Sequence, residues 1–310
     1  MSLDSAFISI LNSQLSTPFD AIGVAAIGPI EDEMRHLELW LEKGYAGDIR
    51  YMHNNLHLRA NPKELLPEAR SMIMVLMNYY PRRWQPADKP QIAAYAYGND
   101  YHHIVKSKLS QLAEEINKVA PHSYAVFCDS APVLERYWAM RAGLGWIGRN
   151  RQLIIPGKGS YFFLGELLID IELEYDTPFT GNHCGNCHLC IDNCPGRALS
   201  NNGLNANHCL SYLTIEHRDN LPQNIGEIMG KNFYGCDRCQ TVCPHNRFAT
   251  PNNTPELQPC TELLQMTPEK WRVLSKEQYD TLFSGSAVER CGYEQLLRNI
   301  AASRLNKTDK

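Results

Sequence analysis

The sequence predicts a mixed α+β and α/β protein. A layered α/β domain is expected over residues 1–178, a bacterial-ferredoxin-like module with two [4Fe–4S] clusters over 179–248, and a short helical segment over 249–310. Three observations carry this. Strand-length apolar runs alternate with segments of helical period as far as Leu173, the pattern of an α/β layered domain. Eight of the eleven cysteines fall between Cys184 and Cys243. Beyond them the chain is polar, with short helical stretches at 255–264, 268–274, 276–283 and 293–304 and no internal repeat.

Taken in order, residues 1–19 read as a helix with Phe7, Ile10 and Leu11 on one side. Ala21 to Ile27 is a short apolar run closed by Gly28-Pro29, a buried strand. Met34, Leu37, Trp40 and Leu41 give Glu31 to Lys43 a helical period that stops before Gly44. The polar stretch from Tyr51 to Pro67 carries His53 and His57, and loop histidines are more often solvated than ligating. Ser71 to Tyr79 is the clearest buried strand, and Gln91 to Gly98 reads as a second. Asn99-Asp100 then caps a helix from Tyr101 to about Val119. Ser123 to Cys128 is a third, central strand, and it delivers Asp129 into a helix over Val133 to Leu144. Pro132 near the start of that helix and Gly143 at its end fit the usual asymmetry of helix ends. Gln152–Ile155 and Tyr161–Leu173 are expected to pair as a hairpin across Pro156-Gly157-Lys158-Gly159. Gly143-Leu-Gly145-Trp-Ile-Gly148 has the spacing of a dinucleotide fingerprint but follows a helix, so it is rejected as one.

The cysteine stretch has a specific grammar. Cys184-Gly-Asn-Cys187-His-Leu-Cys190-Ile-Asp-Asn-Cys194-Pro195 is the spacing that wraps a [4Fe–4S] cluster. Cys209 follows alone, and then Cys236-Asp-Arg-Cys239-Gln-Thr-Val-Cys243-Pro244. In two-cluster ferredoxins the cysteine before proline ligates the other cluster. Cluster one is therefore assigned to Cys184, Cys187, Cys190 and Cys243, and cluster two to Cys194, Cys209, Cys236 and Cys239. Zinc would leave the third cysteine of the first run and both Cys-Pro pairs unexplained. Thiols packed this tightly in sequence also suit disulfide geometry poorly.

At 310 residues and 35.2 kDa the chain can bury a substantial core. Its hydrophobic content of 44% and charged content of 21% are ordinary for a globular protein. Apolar runs such as Met72 to Met77 are too short to span a bilayer, and Met-Ser-Leu-Asp opens no signal peptide, so no membrane and a cytoplasmic location are expected. A net charge of −4 excludes a globally basic nucleic-acid binder. The charge is uneven, however: Arg136, Arg141, Arg149, Arg151 and Lys158 face Glu135 alone between Ala131 and Ser160, a local excess that suits an anionic partner or a solvated face.

Clusters alone pass single electrons, so the α/β domain is expected to hold an acceptor: a flavin, a corrinoid or a substrate. Asp129 is the most suggestive residue. It ends a predicted strand, where α/β folds place ligands. An apolar setting beside Cys128 would raise its pKa and suit it to giving up a proton. A plain helix cap is the competing reading.

Several motifs together resemble the epoxyqueuosine reductases. They are Asp129-Ser-Ala-Pro-Val-Leu-Glu135, Arg141-Ala-Gly-Leu-Gly-Trp-Ile-Gly148-Arg-Asn150, Tyr161-Phe-Phe-Leu-Gly-Glu166, Cys209-Leu-Ser-Tyr-Leu-Thr-Ile-Glu216 and Tyr234-Gly-Cys-Asp-Arg-Cys-Gln-Thr-Val-Cys-Pro244. They occur in order over about residues 20–250. The resemblance implies removal of the epoxide oxygen of epoxyqueuosine at the wobble position of transfer RNA, using cobalamin and two [4Fe–4S] clusters. It implies a nitroreductase-like cobalamin-binding domain at the N-terminal end, and Asp129 as the proton donor. Arg59, in His57-Leu-Arg59-Ala-Asn-Pro62, matches a family arginine expected to contact cobalamin. Tyr101, His102 and Asn150 are further candidates, and Ser211 and Asp237 are expected to face the corrin edge. No Asp-x-His-x-x-Gly occurs, which fits base-off cobalamin with no protein histidine on cobalt. Arg136, Arg141 and Arg218 become candidates for tRNA phosphate contacts. The expected partners are tRNA bearing epoxyqueuosine and an external low-potential electron donor, with a monomeric enzyme. Longer family members carry a C-terminal helical-repeat extension. Here residues 249–310 alone follow the clusters, so tRNA docking is expected to rest on the catalytic domain.

Two rival readings differ in class. A corrinoid reductive dehalogenase shares the cofactors, but the match of Asp129 to an epoxide-opening acid and the missing export signal oppose it. A non-catalytic iron–sulfur electron carrier predicts no cobalamin binding and no organised acid at Asp129.

Overall fold

The computed structural model describes residues 19–303, so the helix expected over 1–19 lies outside the described residues. The chain divides into two compact units. Among described residues the first holds 19–43, 51–78 and 102–185, and the second holds 44–50, 79–101 and 186–303.

The first unit is built on four strands. β1 (Ala21–Ala26), β2 (Ser71–Asn78), β4 (Tyr124–Phe127) and β7 (Phe162–Ile169) lie in the order β1-β2-β7-β4, with every neighbouring pair antiparallel. All eight residues of β2 are buried, which explains its unbroken apolar run: a strand covered on both faces has no polar side to alternate with. Helix α1 (Glu31–Glu42) packs on one face with α4 (Glu135–Arg141), where Met34, Leu37, Trp138 and Ala139 join Met72, Met74 and Leu168. The opposite face carries α3 (Tyr101–Asn117). A Cβ added to Gly165 would lie 2.6 Å from Val105 and 2.9 Å from Leu109, so glycine is what lets this helix approach the sheet. A short helix, α2 (Leu56–Ala60), carries Arg59.

Several expectations are corrected here. The strand leading to Asp129 is the edge of the sheet, not its centre, because β7 takes the inner place beside β2. An antiparallel sheet also has no topological switch point, so the α/β ligand rule does not locate the site. Only Gln91–Ile92 (β3) of the stretch Gln91 to Gly98 is extended, and the small residues Ala94–Ala96 coil into a 3₁₀ turn, consistent with alanine's weak strand preference. β6 (Leu153–Ile154) pairs with β5 (Trp146–Ile147), not with β7. The Gly148 amide closes that hairpin on the Gln152 carbonyl at 2.9 Å. The helix after Asp129 starts only at Glu135, since Cys128–Val133 is occupied by tight turns. Gly143, at φ +73°, ends it, with the Leu144 amide reaching back to the Ala139 carbonyl at 3.0 Å.

The second unit carries the cysteine runs on two short helices, α5 (Leu189–Asp192) and α8 (Arg238–Thr241), which pack together. Between them lie β8 (Leu199–Ser200), β9 (Gly203–Leu204), α6 (Leu210–Ile215), α7 (Ile225–Met229) and β10 (Asn232–Tyr234). β10 pairs in parallel with β3. Helices α9 (Thr261–Leu264), α10 (Pro268–Arg272), α11 (Lys276–Phe283) and α12 (Gly292–Ala302) follow. They are integral to this unit: fully buried Trp271 meets Phe233 of β10 edge-on at 4.6 Å. Helix α12 also satisfies carbonyls that the end of α6 leaves open. Asn299 Nδ2 donates to the Thr214 carbonyl at 2.8 Å, and Gln295 Nε2 donates to the carbonyls of Thr214 and Ile215. Asn299 is completely buried. Asn299→Leu is expected to cost about 1–3 kcal/mol, by taking one of two donors from the Thr214 carbonyl and the Oδ1 acceptor from Arg298, measured as a lower denaturation midpoint of the cluster-loaded protein. No helix among the described residues is long and apolar enough to cross a membrane.

Candidate functional site

Asp129 stands at the tip of the turn that follows β4, in the left-handed region at φ +55°. Aspartate is among the few non-glycine residues that take this conformation readily. The turn is held at several points. The Ser130 amide bonds to the Cys128 carbonyl at 2.6 Å, Lys106 Nζ of α3 donates to the Ser130 hydroxyl, and the Asp129 amide donates to Glu135 Oε1. His102 Nε2 lies 3.4 Å from Asp129 Oδ2. The Asp129 side chain is 57% exposed, which corrects the apolar setting expected for it. The left-handed turn swings the carboxyl off the sheet edge, while Cys128 stays fully buried behind it.

Behind the turn lies an acid pair, completely buried Glu166 and half-buried Glu135, to which sequence reasoning gave no role. Glu166, in the middle of β7 opposite Phe127, is completely buried. Burial, and then the neighbouring charge of Glu135, push its carboxyl well above the usual range. Burial, and then the charge of Asp129, push Glu135 up to about 8. The Cys128 thiol is raised by burial, then by Glu135 and Glu166. One signal was legible: Phe-Phe-Leu-Gly-Glu166-Leu-Leu-Ile puts a lone carboxylate inside an otherwise apolar strand.

The other candidates of the first unit separate by their contacts. Arg59 is 6% exposed; its Nη2 donates to the Tyr51 carbonyl at 3.1 Å, and its Nε is a buried donor without a partner. Asn150 is buried, and its Oδ1 accepts the Gln152 amide at 3.2 Å. Arg136 is exposed, with Nη1 on the Arg151 carbonyl at 2.6 Å. Arg141 Nη1 sits 3.4 Å from the Tyr137 hydroxyl, and its Nε is buried and unpaired.

In the second unit Tyr101 is buried and meets the ring of Tyr95 edge-on at 6.2 Å. Ser211 lies in the first turn of α6, directly after Cys209. Asp237 Oδ2 accepts the Ala94 amide at 2.7 Å, and burial pushes its carboxyl up to about 6. Arg218 is exposed and donates within this unit to the carbonyls of Cys291 and Arg290 and to Gln295.

Every described cysteine is a free thiol. Cys194, Cys209, Cys236 and Cys239 lie close enough for each later thiolate to feel the earlier ones, so the spacing-based set for cluster two is brought together. Burial first, then Asp237, and then Cys209 and Cys194 raise the Cys236 thiol to about 12. Half-buried thiols grouped so that they repel one another as thiolates are the kind of donors that a bound metal neutralises. Cys187, Cys190 and Cys243 belong to the same unit, and Cys184 stands at the end of the first.

Residues 59–130 match the family described as epoxyqueuosine reductase QueG, DUF1730, and residues 183–246 match the 4Fe-4S double cluster binding domain. The epoxyqueuosine reductase of Leadbetterella byssophila is 42% identical, over 91% of this chain and 93% of that protein. That of Pseudomonas aeruginosa is 40% identical, over 91% and 80%. Among solved structures, an epoxyqueuosine reductase with an epoxyqueuosine-modified tRNA-Tyr stem loop superposes with a TM-score of 0.87 at 27% identity, over 98% of this chain and 82% of that one. The Bacillus subtilis enzyme, whose catalytic aspartate loop is described as swung out of the active site, gives 0.84 at 27%, over 98% and 82%. With these relatives matched over nine-tenths of its length, the chain belongs to the epoxyqueuosine reductase family of tRNA-modifying oxidoreductases.

Proposed function

We propose that this enzyme reduces epoxyqueuosine to queuosine at the wobble position of tRNA, with Asp129 as the acid that protonates the departing epoxide oxygen. The observation that carries the reading is the Asp129 turn. A carboxyl is presented outward on a left-handed tip, tied by its own amide to Glu135 and flanked by His102. Loss of an epoxide oxygen consumes two electrons and two protons and leaves an alkene and water. The alkoxide is a poor leaving group unless an acid protonates it as the bond breaks, and a positioned acid contributes about 10²–10⁴-fold. His102, on the rigid α3, orients the carboxyl, and Lys106 fixes the turn through Ser130.

The N-terminal domain, taken as residues 1–178 with a nitroreductase-like layering, is proposed to bind base-off cobalamin with no protein histidine on cobalt. The unpartnered buried Nε of Arg59 fits a cofactor whose periphery is lined with amide carbonyls. Asn150, Tyr101 and His102 would add polar contacts, and Ser211 and Asp237 would face the corrin edge. When bound, cobalamin supplies low-valent cobalt, a reductant strong enough for epoxide opening. Residues 179–248 are proposed to hold cluster one on Cys184, Cys187, Cys190 and Cys243, and cluster two on Cys194, Cys209, Cys236 and Cys239. These clusters would pass electrons from an external low-potential donor. A cytoplasmic, monomeric enzyme with residues 249–310 as a helical C-terminal segment completes the reading.

The test is anaerobic reconstitution with iron, sulfide and cobalamin, followed by conversion of epoxyqueuosine-bearing tRNA to queuosine. Turnover supports the reading. Binding of both clusters without any cobalamin uptake would return the chain to the electron-carrier class.

Arg136 and Arg141 are the proposed phosphate contacts. Arg136→Ala is expected to weaken stem-loop binding and lower the slope of log K against log salt by about 1, and Arg141→Ala likewise. Filter binding at several salt concentrations checks this, and unchanged slopes would remove these residues from the interface.

A further inference from the structure

Glu135 and Glu166 form a contact that two ionised carboxylates cannot make. Neither oxygen of Glu166 meets a donor, although both are shut off from solvent. Its hydrogen-bonding neighbour is the Glu135 carboxyl, itself an acceptor, which already receives the Asp129 amide through Oε1. An unpaired charge at this depth is strongly disfavoured. One proton between the two acids removes both faults, since Glu166 then donates and Glu135 accepts.

The geometry points to Glu135 and Glu166 as a proton-sharing pair that clamps the Asp129 turn in its working conformation. The chain of bonds runs from the Glu166 hydroxyl to the Glu135 carboxylate, and from the Asp129 amide to the same carboxylate. It ties the centre of β7 and the first residue of α4 to the one backbone position in this turn with a left-handed φ. Both glutamates are positioning residues: neither touches substrate, and they act through Asp129. This rests on the proposed role of Asp129 and deepens it, by making the acid's placement conditional on a second, stored proton.

The charged and titratable groups facing the pair are few. Asp129 and Glu166 oppose ionisation of Glu135, and Arg136 favours it. Arg59 feels the charge of Glu135 from α2, and buried Cys128 lies against both acids, with Lys106 beyond it. None of these cations is hydrogen-bonded to Glu166. A rise in pH therefore takes the shared proton and sets a half-buried charge at Glu135 against a fully buried one at Glu166. The folded protein keeps a proton that the unfolded chain has already released above the usual carboxylate range, so stability contributed by the pair falls as pH climbs toward about 8.

The clamp can be read without turnover. Amide hydrogen exchange at Asp129 and Ser130, corrected for intrinsic rate, is followed across pH in cluster-loaded wild type, Glu166→Gln and Glu166→Met, with infrared spectra of the same samples. Wild type is expected to show a protonated-carboxyl band, and to lose protection at these amides by up to about ten-fold per pH unit as pH climbs toward about 8, levelling off above it. Glu166→Gln keeps a permanent donor to Glu135, so the band disappears and protection persists to higher pH. Glu166→Met has no donor, and protection is low throughout. In single-turnover assays Glu166→Met lowers the rate with KM for tRNA unchanged, and Glu166→Gln restores it relative to Met. The same exchange profile in all three proteins, or no protonated-carboxyl band in wild type, overturns the clamp. Loss of protection in Glu166→Met with unchanged turnover would instead keep the clamp and remove Asp129 as the acid.

Discussion

Replacing Asp129 with asparagine is expected to slow single-turnover reduction of epoxyqueuosine by about 10²–10⁴-fold while clusters, cobalamin and tRNA binding are retained. Asparagine is the informative substitution because the position demands a left-handed backbone, φ +55°, which asparagine tolerates as well as aspartate does. Its amide keeps a polar contact with His102 and lets the Asp129 amide bond to Glu135 survive, so the turn stays in place and only the proton is removed. Alanine would confound the result by straining the same backbone. Rapid quench of pre-reduced enzyme isolates the chemical step from electron delivery. A rate within a few-fold of wild type would exclude Asp129 as the acid and move attention to His102, the nearest other proton carrier on the turn.

Serine at Cys194 is expected to abolish cluster two, though Cys194 lies within the first cysteine run, and to remove about half the iron. Turnover should fall to background, because every electron reaching the site passes through the clusters in the proposed scheme. The expectation follows from the grouping of Cys194 with Cys209, Cys236 and Cys239 across more than forty residues of chain. Pairwise combination sharpens it. Cys194→Ser with Cys236→Ser should lose no more iron than either alone, since both serve one cluster. Cys194→Ser with Cys187→Ser should lose nearly all of it. Iron and sulfide analysis with electron paramagnetic resonance of the reduced proteins reads the outcome. Additive loss from Cys194 and Cys236 would overturn the crossed assignment.

The buried acids carry a separate lesson on reading catalytic groups. Asp129 was expected to owe its chemistry to apolar burial, yet its side chain is more than half exposed. The burial is one layer deeper, at Glu166 and Cys128, and reaches Asp129 through its backbone amide and through charge.

How much was legible in sequence differs from residue to residue for physical reasons. The double-cluster module was legible because its cysteines are written in short spacings, and the unbroken apolar run of β2 announced a strand covered on both faces. The Asp129-Ser-Ala-Pro motif and Arg59 were legible through resemblance, and the structure supplies reasons for both: a left-handed tip at one and a buried unpaired donor at the other. For Arg218 the sequence did not decide, because a basic residue looks the same whether it awaits phosphate or bonds to carbonyls, as this one does with those of Cys291 and Arg290.

Sequence by itself thus determined the local signals: where the double-cluster cysteine runs lie, which run is core, and which turn presents Asp129. Tertiary structure alone decided strand order and partnership. It placed β4 at the edge, sent β6 to β5, and set Glu166 behind a turn that lies far from it in the chain. Spacing and periodicity encode interactions within a few residues, whereas sheet order and buried acid pairs arise from contacts between segments whose separation in sequence carries no signature of their meeting.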